Sequence, residues 1–303
     1  MHHIHTMSNT SHATRPTLFV TGAAAGIGRA VAEHFLRAGW FVGLYDVDEA
    51  GLQTLQQAWG AEQCITARLD VTSVNDWVMA LAAFEQRTAG RLDVLFNNAG
   101  VAVTGPFEEA QLVRHHRLID INLKGLVSGC HLAFPLLKRT PGSRVINMCS
   151  ASALYGQPEL GSYSATKAAV RSLTEALDIE WRRHGIRVVD VLPLFVNTAM
   201  VTDEVSRMKT VSTLGVRLGP QDVADAVWRL ANTPPEKSRN IEVGGKWELF
   251  DDRASLGVAL FRTEKTNERN NDPDTAATQL LLSGKRHATG MEFNLAGRIT
   301  PQW

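Results

Sequence analysis

A chain of 303 residues is long enough to bury one large core, and its balance of 31 basic against 31 acidic side chains argues against nucleic acid or an anionic membrane surface as partner. Its three cysteines, Cys64, Cys130 and Cys149, stand far apart and form no Cys-x-x-Cys pair, so neither a disulfide framework nor a cysteine zinc site is expected, and a reducing, cytoplasmic compartment fits best. No apolar run reaches the length of a membrane-spanning helix.

Residues 1–15 are polar and carry His2, His3, His5 and His12 without acidic or cysteine partners, which predicts a flexible leader rather than a metal site. Apolar runs of strand length then alternate with segments of helical period. The first run, Thr17–Val20, is followed by "GRAVAEHFLRAG", in which Val31, Phe35 and Ala38 fall on one helical face and Gly39 suits a helix C-terminus. Further strands are expected at Trp40–Asp46, Cys64–Asp70, Leu92–Asn98, Arg144–Ser150, Ile186–Pro193 and Asn240–Val243, seven in all. This alternation predicts a doubly wound α/β fold: a seven-stranded parallel sheet with helices on both faces. A single domain is expected over 16–262, with an apolar-lined substrate lid at 194–219, and 263–303 as a polar extension without clear period.

Strand Thr17–Val20 runs into a loop with Gly22, Gly26 and Gly28 that opens a helix. Glycine at 22 allows a tight turn, at 26 lets a pyrophosphate approach the backbone, and at 28 lets helix and strand pack closely, with the diphosphate on the helix N-terminus. Asp46 ends the next strand, 18 residues beyond Gly28, where a carboxylate accepts hydrogen bonds from a ribose diol and repels a 2′-phosphate. Ala23, Ala24 and Ala25 bring no cation into the loop, so NAD is expected rather than NADP, although Asp46 can also simply open a turn with Asp48. Tyr163 and Lys167 are four residues apart in one helical pattern, which puts a phenol and an ammonium on one face. A phenol ionises near pH ~10, and a neighbouring cation favours its charged form.

These motifs, in this order, resemble the short-chain dehydrogenase/reductase family over residues 15–250: the glycine loop at Thr21–Gly28, the Asn-Asn-Ala-Gly segment at Asn97–Gly100, and Tyr-x-x-x-Lys at Tyr163–Lys167. The resemblance implies a Rossmann fold and a catalytic set of Asn122, Ser150, Tyr163 and Lys167. Ser150 lies 13 positions before the tyrosine, with Ser152 as its rival. In that set Tyr163 is the general acid or base, Lys167 draws the phenol's pKa down, Ser150 hydrogen-bonds the substrate oxygen, and Asn122 holds a water that links Lys167 to solvent. Cofactor contacts are implied for Gly22, Ala25, Gly26, Ile27 and Gly28, for Asp46, for Asp70 and Val71 at the adenine, for Asn98, Ala99 and Gly100, for Tyr163 and Lys167, and for Pro193, Val196 and Thr198 near the carboxamide. Leu194 and Phe195 follow Pro193 where the family usually has glycine, which puts the geometry of that loop in question.

The expected activity is hydride transfer between NAD and a fairly apolar secondary alcohol or ketone. The alternatives are an NADP-linked carbonyl reductase and a dinucleotide-binding sensor or scaffold without turnover, the latter having no need of a matched acid/base pair. By the same resemblance, Phe107–Leu137 and Tyr163–His184 are expected to pair copies of the chain into a homodimer or homotetramer.

Overall fold

A computed structural model of the chain describes residues 15–205, 211, 215–233, 237–249, 254–271 and 280–297. Nearly all of the expected leader, lid residues 206–210 and 212–214, and parts of the expected extension at 272–279 and 298–303 lie outside the described residues. Two units divide the chain, Met1–Thr233 and Pro234–Trp303.

In the first unit, β1 (Thr17–Thr21) is buried at every position. Its alternate side chains serve opposite faces, Leu18 and Val20 in one hydrophobic cluster and Phe19 in the other. The same division holds for β2 (Phe41–Asp46), with Val42 and Leu44 against Phe41 and Tyr45, and for β4 (Val94–Asn97), with Val94 and Phe96 against Leu95. Strands that are apolar on both faces need cover on both, and helices supply it. One face is covered by α1 (Gly26–Arg37), α2 (Glu49–Trp59) and α7 (Pro220–Asn232). The other is covered by α3 (Val74–Thr88), α5 (Leu126–Arg139) and α6 (Gly161–Trp181). Gly43 leaves room for this second face: a Cβ there would lie 2.7 Å from both the Phe84 and Tyr45 rings.

With β3 (Cys64–Arg68), β5 (Arg144–Met148) and β6 (Arg187–Val191) the sheet has the order β3-β2-β1-β4-β5-β6, every pair parallel. The order reverses between β1 and β4, and in such sheets the crevice beyond the strands' C-terminal ends at that point is where ligands bind. The fold is the expected doubly wound one, with six parallel strands rather than seven.

The segment expected as the seventh, Asn240–Val243, is part of a longer strand, β7 (Lys237–Leu249), which pairs antiparallel with β8 (Ala254–Asn271). In turn β8 pairs antiparallel with β9 (Leu280–Gly297), so the second unit is a three-stranded sheet β7-β8-β9. A parallel strand covered on both faces reads as a continuous apolar run, whereas "NIEVGGKWEL" alternates apolar with polar or small residues. The first unit accordingly closes at Thr233 rather than at 262, and much of the segment expected to be an extension without period is strand.

Between α4 (Leu112–Ile119) and α5 the helix continues through a π segment, Asp120–Gly125. Such a turn carries an extra residue that reorients the side chains on it, and Asn122 lies within it.

Candidate active site

An open cavity of about 400 Å³ lies in the first unit at the C-terminal ends of the parallel strands. It is lined by Gly22, Ala25, Gly26 and Ile27 after β1, Asp46 after β2, Asp70 and Val71 after β3, and Asn98, Ala99 and Gly100 after β4. Ser150 after β5, Tyr163 and Lys167 of α6, and Pro193, Val196 and Thr198 after β6 complete the wall. Residues far apart in the chain thus converge because all six parallel strands end there. Lining residues that sequence reasoning missed include Leu69, Arg117, Ile121 and Met148; they carry no motif and are apolar or, for Arg117, one of many surface cations.

Gly28 and Asn122 do not line the cavity. Gly28 faces inward instead: a Cβ at this position would lie 1.9 Å from the Gly22 carbonyl oxygen and 2.6 Å from Asn98 Nδ2. Gly22 and Gly26 have φ of +67° and +53°, in the left-handed region that favours glycine. The turn they form is fastened from β4. Asn98 Nδ2 donates to the carbonyls of Thr21 (3.0 Å) and Gly22 (3.1 Å), while Thr21 Oγ1 accepts from the main-chain N–H groups of Asn98 (3.0 Å) and Ala99 (3.1 Å).

Asn122 is buried, and both ends of its amide are engaged by one residue: Oδ1 accepts from Val101 N at 2.8 Å and Nδ2 donates to Val101 O at 2.9 Å. Its side-chain amide is thus committed to the Val101 main chain. The amide anchors the segment after β4 to the π turn.

Ser150 is separated from its rival by orientation. Ser150 lines the cavity, whereas the buried Ser152 hydroxyl donates to Gln157 Oε1 at 3.1 Å. Lys167 is buried, its Nζ donating to Met148 O at 2.7 Å and lying 5.5 Å from the centroid of the Tyr163 ring. Burial pushes the Tyr163 phenol up to about 12, against a hydrogen bond with Ser150 that pulls it down. Burial also brings the Lys167 ammonium down to about 8, with the adjacent Cys149 opposing it. The expectation from sequence is a lowered phenol; in this structure desolvation dominates and the phenol rises.

Asp46 is held as a rigid acceptor, Oδ2 taking the N–H of Ala24 (3.0 Å) and Oδ1 that of Asp48 (3.1 Å). Asp70 accepts from Thr72 N and Oγ1 on one oxygen and from Arg117 on the other at 3.1 Å. Burial raises its carboxyl, but these hydrogen bonds together outweigh that and hold it below its ordinary value. Leu194 brings no left-handed backbone: among the described residues the non-glycine positive φ values are those of Ala89 and Glu159, so the loop after β6 tolerates a side chain where glycine was expected. Phe195 forms a small buried cluster with Leu160, Val201 and Val211, against which Ala102, Tyr163 and Leu194 pack.

A parallel sheet with a glycine turn at its switch point and a tyrosine, lysine and serine on one cavity wall defines a dinucleotide-fold oxidoreductase site. Residues 16–209 match the family model for short chain dehydrogenase, and the chain belongs to the short-chain dehydrogenase/reductase family of oxidoreductases. Residues 209–303 match a second model, TonB dependent receptor-like, beta-barrel. The 3-beta-hydroxysteroid dehydrogenase of Comamonas testosteroni is 39% identical over 184 residues, covering 60% of this chain and 71% of that protein. An uncharacterized short-chain type dehydrogenase/reductase, y4vI of Sinorhizobium fredii, is 32% identical over 292 residues, which are 93% of this chain but span only 52% of the relative's length. Among solved structures, 3-ketoacyl-(acyl-carrier-protein) reductase from Brucella melitensis complexed with NADH superposes with a TM-score of 0.66 at 28% identity, covering 73% of this chain and 92% of that one.

The Asn122 geometry makes a direct prediction. Asn122→Leu leaves the N–H and C=O of Val101 without their partners and is expected to destabilise the first unit by about 2 kcal/mol or more, measured as a shift in urea midpoint. A variant as stable as the wild type would show that the amide is not the anchor.

Proposed function

We propose that the first unit is an NAD-dependent dehydrogenase that moves a hydride between the nicotinamide and a fairly apolar secondary alcohol or its ketone. The observation that carries this reading is that one cavity joins the glycine turn and Asp46 to Ser150, Tyr163 and Lys167. The residues present fit a dinucleotide. Helix α1 begins at an N-cap, Ala25, that makes no side-chain capping bond, and its first turn carries no acidic residue, whereas α2 is capped by Asp48 and α3 by Ser73. An anion such as a pyrophosphate is what such an N-terminus accepts. Asp46 supports NAD over NADP, and Arg117, the guanidinium on the wall, is tied to Asp70 and Thr72.

When bound, the nicotinamide supplies the hydride donor or acceptor. Tyr163 gives its proton to the carbonyl oxygen in reduction and takes the hydroxyl proton in oxidation, while Ser150 hydrogen-bonds the same oxygen as charge develops on it. Lys167 holds positive charge behind the phenol. Leu194, Met200 and Val201 on the cavity wall support an apolar substrate, as does the name of the Comamonas relative. Exposed Leu112 and Val113 on α4, Val127 on α5 and Ile179 on α6 support association of copies through these helices.

The second unit favours a different reading, a membrane-facing sheet, because its residues fall within the match to a receptor-like β-barrel. Strands of 13 and 18 residues exceed the ~9–11 that a membrane-spanning strand needs, and Leu260, Met291 and Phe293 are exposed. That no helix among the described residues is long and apolar enough to cross a membrane leaves this reading intact.

The dehydrogenase reading is tested with NAD and NADP and a panel of simple secondary alcohols and a 3β-hydroxysteroid. Turnover with NAD that falls by ~10²-fold or more in Tyr163→Phe is expected, and a preference for NADP would remove the argument from Asp46. A second expectation concerns pH. Lys167 is a cation only below about pH 8, while Tyr163, pushed up to about 12, keeps its proton throughout the working range. Ketone reduction takes one proton, from Tyr163, and is favoured by the Lys167 charge behind it, so it is expected to fall as pH rises through about 8, and a flat kcat/KM profile across that value would contradict the assignment. For the second unit, the full chain is expected to float with phosphatidylcholine vesicles, and the combined variant Leu260→Asp, Met291→Asp, Phe293→Asp to remain in the aqueous fraction.

A further inference from the structure

The loop between β5 and α6 carries a buried amide that the chemistry above leaves unused. Gln157 is 5% exposed, and its main chain is tied to the start of α6: its N–H donates to Ser164 Oγ at 3.2 Å and its carbonyl accepts from Leu160 N at 3.1 Å. Its Oε1 accepts from Ser152 Oγ at 3.1 Å, and Ser152 Oγ lies 3.2 Å from Ser150 Oγ on the cavity wall. Gln157 Nε2 is buried without a hydrogen-bond partner. Three polar side chains therefore stand in file from the interior to the site, and the inner end of the file is unsatisfied.

Each hydroxyl has one proton on a free rotor, and an amide turned by half a revolution exchanges its donor for its acceptor, so the same heavy atoms support two directions of hydrogen bonding. With Oε1 toward Ser152, the Ser152 proton points to the amide and draws the Ser150 proton after it, away from the cavity. With Nε2 toward Ser152, the amide donates to Ser152, Ser152 donates to Ser150, and the Ser150 proton is left to point at a ligand oxygen. No proton leaves its own atom in either arrangement. The second also exchanges a buried orphan donor for an orphan acceptor, which proteins leave unpaired more often.

We propose that Gln157, acting through Ser152, is a positioning residue that turns the Ser150 hydroxyl proton toward the substrate oxygen; the inference rests on the dehydrogenase reading of the same cavity.

The test compares kcat, KM and dinucleotide affinity, with the fastest substrate of the panel above, in the wild type, Ser150→Ala, Gln157→Leu, Gln157→Glu and the double variant Ser150→Ala with Gln157→Leu. Gln157→Leu is expected to lower kcat roughly tenfold, a fraction of the ~10²–10³ lost when such a donor is deleted outright, with dinucleotide affinity unchanged. In the Ser150→Ala background the same substitution is expected to cost nothing further, because the two act through one chain. In Gln157→Glu a carboxylate only accepts whereas the protonated acid also donates, so kcat relative to wild type is expected to recover as pH falls. A merely structural role predicts neither the lost effect nor the recovery. Should Gln157→Leu fail to fold, Ser152→Ala and Gln157→Glu carry the same comparison. The proposal is overturned if Gln157→Leu matches wild type while Ser150→Ala is impaired, or if its loss persists in full without Ser150. A wild-type chain without turnover overturns the dehydrogenase reading, and this inference with it.

Discussion

The first unit depends on the close approach of α1 to the end of β1. Gly28 passes so near the Gly22 carbonyl that no side chain fits between them, and the turn joining the two elements holds two glycines in the left-handed region. The contact also brings the uncapped N-terminus of α1 to the switch point of the sheet, where strand order reverses between β1 and β4. Thr21 and Asn98 then lock the turn to β4 through four hydrogen bonds, which join the N-terminal end of α1 to the segment after β4. A turn that had to find its shape on binding would spend part of the ligand's binding energy in doing so.

At the other side of the cavity, burial sets the chemistry. Tyr163 and Lys167 ordinarily titrate close together, and enclosure drives them apart, the phenol up and the ammonium down. Groups separated in this way acquire distinct duties. The lysine, by donating to Met148 O, is held 5.5 Å from the centre of the Tyr163 ring, the placement that the proposed role of a nearby charge requires.

Much of this was legible in the sequence because its physical causes are local. Continuous apolar runs marked the parallel strands, and the glycines and the Tyr163–Lys167 spacing marked the site, since each reflects a steric or periodic rule that works over a few residues. What escaped depends on partners distant in sequence. Nothing in the sequence pairs the Asn122 amide with Val101, which the π turn brings together, and Gln157 carries no signal at all until Ser152 is seen beside it. The seventh strand was misplaced for a related reason: a short apolar run does not say which sheet it joins, and only the alternation of Lys237–Leu249 as a whole separates a two-faced antiparallel strand from a buried parallel one.

The π turn at Asp120–Gly125 has a consequence for how the chain tolerates change. An ordinary α-helix advances about 100° per residue, so the extra residue fixes the angular phase of α5 relative to α4. Deleting one residue here would mend the irregular backbone ladder and give a better helix, yet it would rotate the stripe formed by Leu126, Cys130, Ala133 and Leu137 away from the sheet it covers. A change of length by one residue in this segment is therefore expected to cost core packing in a way that a substitution at the same place does not.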